Sequence, residues 1–245
     1  MLRRQSKDVE QMTKIEPVPK VIFEVNEESD KQICSNPYFS KFIKDYDNSI
    51  PPGGFVEKFY PEHINDIIAS KEELEDRWKV VNDKVMKRLA EVMQIKWPER
   101  DAKAIMTINK VCPRFLKEWY FYVSYFHDVE LQKGIILHEL THFLYFEKWK
   151  QVFPSSKMEE FEKPHLIWEL SEILVYPINR DSELIRLVPK TARAYERYYS
   201  IKLSGGENII KHFTSIYERN KADFGNMLKV AYEEIKRLRE NFLQK

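Results

Sequence analysis

Two histidines one helical turn apart, with a glutamate between them, limit what this chain can become more than any other feature: His138-Glu139-Leu140-Thr141-His142. The motif lies inside VELQKGIILHELTHFLYFEKWKQV, residues 129–152, which reads as one helix beginning after an N-cap at Asp128. Four residues of α-helix turn about 400°, so the imidazoles stand ~40° apart around the axis and ~6 Å apart along it. Both can reach one metal ion at Zn–N distances of about 2.0–2.1 Å. Glu139 lies ~100° round from His138 and ~60° from His142, where it flanks such an ion instead of ligating it. From there a carboxylate can take the proton of a water whose pKa zinc lowers to about 7.

The neighbours sharpen this reading. Ile135, Ile136 and Leu137 precede the motif, Leu140 and Thr141 fill it without charge, and Phe143 and Leu144 follow. Such a helix is buried, and two buried imidazoles without partners cost free energy that coordination removes. Chance places only about 0.02 such strings in a chain of this length and composition.

The motif and its setting resemble the HExxH zinc metallopeptidases, the zincins. The resemblance covers about residues 104–181: a strand pair, the motif helix, a loop and a second helix. It implies one Zn²⁺ per chain held by His138 and His142, Glu139 as general base, and a third protein ligand further on. The metzincin branch requires H-E-x-x-H-x-x-G-x-x-H, but Tyr145 and Lys148 stand at its last two positions. The gluzincin branch draws a glutamate from the following helix. Here PHLIWELSEILVY, residues 164–176, carries Glu169 and Glu172, 27 and 30 positions after His142. Glu172 is the preferred ligand, because Tyr176 one turn later can buttress it; Glu169 is the alternative. The family's partner acid, four residues after the ligand, is missing for both, since Ile173 and Tyr176 occupy those places. The resemblance also implies that strand 116–126 binds an extended peptide by strand addition. A further group must stabilise the oxyanion. Tyr176 and His212 are the candidates put forward, with His165, Tyr198 and Tyr199 also chemically capable.

Around this core the pattern is coarser. Residues 1–20 read as a polar tail, VIFEV at 21–25 as a β-prone run, and 39–46 as a short helix. A helix is expected over 70–95, capped by Ser70 and closed by Trp97-Pro98. AIMTINKV (104–111) and FLKEWYFYVSYF (115–126) read as two strands, a candidate hairpin about Cys112-Pro113-Arg114, with the second buried on both faces. Helices are expected at roughly 189–202, 207–220 and 222–243. The last carries a seam of Leu228, Ala231, Ile235, Leu238 and Phe242, expected to dock on the protein's own core.

Composition narrows the function classes. The 245 residues suit a single domain over 21–245, α+β and mostly helical, with C-terminal helices added to the zincin-like part. With 40 Lys+Arg against 39 Asp+Glu, the chain lacks the basic excess of a nucleic-acid binder. Cys34 and Cys112 are too few for a disulfide framework or a cysteine-built zinc site. Six glycines and no phosphate-loop motif argue against nucleotide binding. No apolar stretch approaches the roughly 20 residues of a membrane span, and no secretory signal is legible, so a cytoplasmic protein is expected. The expected activity is zinc-dependent hydrolysis of a peptide or protein substrate without an acyl-enzyme. One rival is deformylase-type chemistry, whose third ligand is a cysteine in a context that Cys34 and Cys112 lack. The other is a catalytically silent zincin-like scaffold, or regulatory binding protein, that uses its C-terminal helices.

Overall fold

A computed structural model describes residues 18–41, 43, 49–191 and 194–239. The fold is α+β, mostly helical, with one mixed four-stranded sheet. The strands are β1 (Val21–Val25), β2 (Ala102–Thr107), β3 (Arg114–Phe115) and β4 (Tyr120–Ser124), in the order β1-β2-β4-β3. β1, β2 and β4 run parallel, and β3 is antiparallel to β4. The run at 21–25 is thus the strand its β-branched residues suggest. The expected tail ends earlier than residue 20: Lys20 donates its backbone N–H to Asp101 (2.7 Å), and Asn82 donates to the Pro19 carbonyl (3.0 Å). Residues 1–17 lie outside the described residues.

The expected hairpin between 104–111 and 115–126 is corrected. Those strands are parallel neighbours, and the connection between them crosses to the far side of β4, where β3 forms the edge. β-propensity reports a pleated, buried strand but not its direction, and a dozen connecting residues suffice for a crossover. The real hairpin joins β3 to β4. Its last turn residue, Trp119, has φ of 67°, uncommon for a bulky side chain, and is fastened by stacking on Phe143 at 4.6 Å. β4 is buried on both faces as expected, with Phe121, Tyr122, Val123 and Ser124 all inaccessible.

Ten helices surround the sheet in the described residues. α1 (Glu27–Ser35) and α2 (Pro37–Ser40) follow β1, so the short helix expected at 39–46 is a single turn at 37–40; residues 42 and 44–48 lie outside the described residues. α3 (Pro52–Lys79) and α4 (Asn82–Met93) replace the single helix expected over 70–95. Pro52 is not a breaker here: it occupies the first turn, where the missing N–H has no helical partner to lose. Ser70 is consequently mid-helix, and its hydroxyl accepts from Gln132 (3.1 Å). The helices part at Val80-Val81. Asn82 is buried just beyond, accepting from the Trp78 indole (2.9 Å) while donating to Pro19.

α5 (Val129–Val152) is the motif helix, with Asp128 accepting from the Leu131 N–H as its N-cap. It is buried on nearly every side, lying against β4, α3, α4, α6 and α10. A 3-10 turn, Met158–Phe161, leads to α6 (Leu166–Asn179), which runs two residues past Pro177. Thr141 of α5 donates to Asn179 of α6 (2.7 Å), which sets the two helices' register. Instead of one helix over 189–202 there are short turns, α7 (Ser182–Leu187) and α8 (Glu196–Ser200). α9 (Ile209–Asn220) and α10 (Phe224–Arg237) are capped by Asn208 and Asp223. Leu228, Ala231 and Ile235 of the C-terminal seam are fully buried and Leu238 nearly so. The seam docks within the fold, while Phe242 lies outside the described residues.

Candidate active site

Three side chains from two helices converge. His138 Nε2 and His142 Nε2 face each other at 3.0 Å. Glu172 Oε2 stands 3.6 Å from the first and 3.4 Å from the second. Among the described residues these form a His/His/Glu group whose donor atoms lie close enough for one cation. A tetrahedral site with bonds near 2.05 Å has donor-to-donor edges of about 3.4 Å, so the spacing fits an ion of zinc's size. His142 and Glu172 are inaccessible, and His138 is 9% exposed. Glu172 Oε2 has no hydrogen-bond donor, an orphaned buried carboxylate oxygen that a cation would satisfy.

The two glutamates of α6 part ways. Glu172 turns into the triad, whereas Glu169 accepts from the Tyr198 hydroxyl (2.6 Å) and pairs with Arg197. Glu169 therefore serves to anchor α8. The reason lies in helix geometry: three residues advance the side chain by about 300°, a net separation of about 60°, so Glu172 points to α5 while Glu169 points to α8. The expected buttress for Glu172 is also different. Tyr176 lies over Arg180 at 4.2 Å and beside Tyr199, while Arg114 of β3 donates to Glu172 Oε1 at 3.0 Å and stands 3.8 Å from Glu139. Arg114 is buried by the ring of Phe146 among others. Its position in Cys112-Pro113-Arg114 had read only as a turn. Charge accounting is the signal that could have found it: two buried carboxylates beside two imidazoles call for a nearby cation.

The electrostatics separate the four groups. Burial pushes the Glu139 carboxyl up to about 7, with His138 and Arg114 opposing. Burial and Arg114 hold His142 down to about 3, so its imidazole is neutral at ordinary pH and has a lone pair to offer. Burial works against the charged form of His138, but Glu172 and Glu139 outweigh it and raise its pKa. Glu172 stays well below the usual range: burial opposes ionisation, and His142 and Arg114 overcome it. Cys112, near Glu139, is pushed up to about 12 by burial, so it remains a thiol. Cys34 belongs to a different buried cluster, and no cysteine enters the metal-compatible group among the described residues.

His138 and Glu139 open onto two adjoining hollows. The larger, about 530 Å³, is walled by residues 111–118 around β3, Tyr38, Lys163, Trp168 and Tyr195; the smaller, about 300 Å³, by Lys110, Cys112, Ile135, Ala194 and Tyr195. Tyr195 borders both. Its phenol pKa is raised by burial and by the charges of Glu172 and Glu139, so it stays protonated in the wall of both hollows. Neither oxyanion candidate lines these hollows. Tyr176 is occupied as described, and His212 is held between Glu207 (3.0 Å) and Glu234 (2.7 Å) on α9. His165 is exposed at the start of α6, and Tyr198 is committed to Glu169. The strand expected to bind an extended peptide, 116–126, holds β4, which is internal to the sheet; the sheet edge beside the triad is β3.

No protein-family model, curated protein sequence or solved structure matches the chain. No helix among the described residues is long and apolar enough to cross a membrane.

Proposed function

We propose that this protein is a zinc-dependent hydrolase of peptide bonds, with His138, His142 and Glu172 as metal ligands and Glu139 as general base. The observation that carries the proposal is the convergence of two imidazole nitrogens and one orphaned carboxylate oxygen at 3.0–3.6 Å, with Glu139 beside them in the wall of an open cleft. A bound zinc ion would polarise the scissile carbonyl and acidify a water molecule. The chain's own groups supply the rest. Arg114 orients Glu172 through the oxygen that faces away from the imidazoles, leaving the other free to ligate. Glu139, held near neutrality by burial, takes the proton from the attacking water and passes it to the leaving amine. Tyr195, a protonated phenol in the wall of both hollows, is the group nearest to hand to donate to the developing oxyanion. A peptide can lie along β3, which pairs with β4 on one side only among the described residues.

The silent-scaffold alternative places a partner on the C-terminal helices, but among the described residues their seam of Leu228, Ala231, Ile235 and Leu238 is buried inside the fold. The test is cleavage of a mixed peptide library by purified protein, by protein stripped with a chelator, and by stripped protein given back one equivalent of zinc. Activity lost on stripping and restored by zinc, and absent in Glu139→Gln at full zinc content, is the expected result. Cleavage that survives chelation, or equal cleavage by Glu139→Gln, would overturn the assignment.

A further inference from the structure

The wall of the larger hollow contains a box of aromatic rings that already holds a cation. The ammonium of Lys163 lies 4.6 Å from the Trp168 ring centroid, 5.0 Å from Tyr195 and 5.9 Å from Tyr38. The rings come from three separate places: α2, α6 and the segment before α8. Each distance is within the range over which a ring quadrupole attracts a positive charge, and Trp is the strongest of the three ring types. All four residues line the same hollow as His138 and Glu139, and Tyr195 touches both halves of the cleft. Glu118, Glu159 and Glu162 line the same hollow and add negative potential, with Arg114 and Lys117 opposing them. Trp168 is almost fully buried, whereas Tyr38, Tyr195 and Lys163 are exposed, so one fixed ring is joined by two rings and an occupant at the surface. Two other cations lie near these rings: Arg197, 5.6 Å from Trp168 and paired with Glu169, and Lys41, 4.6 Å from Tyr38.

We propose that Tyr38, Trp168 and Tyr195 form a recognition subsite for a cationic side chain, lysine or arginine, of a peptide bound beside the metal-compatible triad, and that Lys163 fills it until such a side chain displaces it. The assignment of this subsite to substrate recognition rests on the peptidase reading above; the binding preference itself does not. A resident lysine gives the box two roles. It keeps the rings from presenting an empty apolar surface in the free protein, and it sets a threshold that only a competing cation overcomes, since a neutral side chain gains nothing from the ring quadrupoles.

Binding measured without turnover separates the two readings. Acetylated and amidated alanine heptapeptides, each with a single lysine placed at successive positions, are titrated by calorimetry into the Glu139→Gln protein. A matching set carries norleucine, which keeps the stem and lacks the charge. At one position lysine is expected to bind about 10-fold tighter than norleucine. Lys163→Met, which removes the competing charge but keeps the length, should tighten the lysine peptide a further ~3-fold or more and leave the norleucine peptide unchanged. Tyr195→Leu should erase most of the lysine advantage. Equal binding of the two sets at every position overturns the proposal. So does a Lys163→Met variant that strengthens both sets alike, because Lys163 would then be a steric plug. Lysine preference in a protein that carries no zinc would keep the subsite and sink the peptidase reading; zinc-dependent cleavage with no such preference would do the reverse.

Discussion

Two buried carboxylates in this fold are treated in opposite ways. Asp30 of α1 is inaccessible, and its oxygens are saturated by the protein: Tyr60 donates at 3.0 Å, the Ile108 N–H at 2.9 Å, Cys34 lies at 3.5 Å, and the Thr107 hydroxyl also donates. The result ties α1 and α3 to the end of β2. Glu172 of α6 is equally inaccessible, yet only one oxygen has a donor, and the other faces two imidazole nitrogens across 3.4–3.6 Å. The outer ring nitrogens of both histidines are unpartnered as well. A saturated polar cluster makes a joint. An unsaturated one of this geometry leaves room for a ligand, and that contrast is the physical ground for reading one as a joint and proposing the other as a metal site.

The contrast can be broken at several points. The largest effect belongs to Glu139→Gln, which should retain one zinc per chain and lose about 10³-fold in peptide turnover, as metal analysis and steady-state kinetics on the same preparation would show. Next is Asp30→Ala. It strands the Tyr60, Thr107 and Ile108 donors in a buried space, and urea melts should report a loss of about 4 kcal/mol with zinc stoichiometry of the folded fraction unchanged. Zinc loss in that variant would merge two regions held here to be separate. A third comparison sits on α6. Glu172→Ala should weaken zinc at least 100-fold in competition with a chelator, whereas Glu169→Ala should leave it within about threefold and cost only about 1–2 kcal/mol of stability through Tyr198 and Arg197. The reverse ranking would exchange the two glutamates' roles.

The smallest effect lies outside both clusters. Arg237, burial notwithstanding, and then His212 hold Glu234 down to about 2. A carboxyl with a depressed folded-state pKa stabilises the fold above its ordinary value of about 4.3 and loses that contribution as pH falls toward 2. Glu234→Gln should flatten this part of the acid limb in a thermal-melt pH series. Zinc affinity at neutral pH should not move.

What was legible in the sequence follows local physics. His138, Glu139 and His142 could be placed because a helix converts spacing into geometry, and Asp128 could be named as the cap because capping needs only neighbours. That Glu172, not Glu169, turns toward the two imidazoles was also readable, although the expected support from Tyr176 is supplied by Arg114 instead. The misses are all long-range. Strand direction in 102–124, the edge position of β3, Arg114 as the counter-charge and Tyr195 as the cleft-facing phenol depend on which segments meet, and no periodicity records that. Prolines mark no boundary here by themselves: Pro52 opens α3 and Pro177 sits inside α6, just beyond the segment expected to be helical.

The central claim is that the His138/His142/Glu172 cluster holds a catalytic metal. Zinc K-edge X-ray absorption on the protein as purified tests it most directly, because it reads ligand type and distance without a substrate. The account predicts about one zinc per chain with a shell of two imidazole nitrogens and oxygen donors at roughly 2.0–2.2 Å, reduced to background in His142→Ala. Protein that carries no stoichiometric zinc even after incubation with it, or an absorber with sulfur at about 2.3 Å, would contradict it.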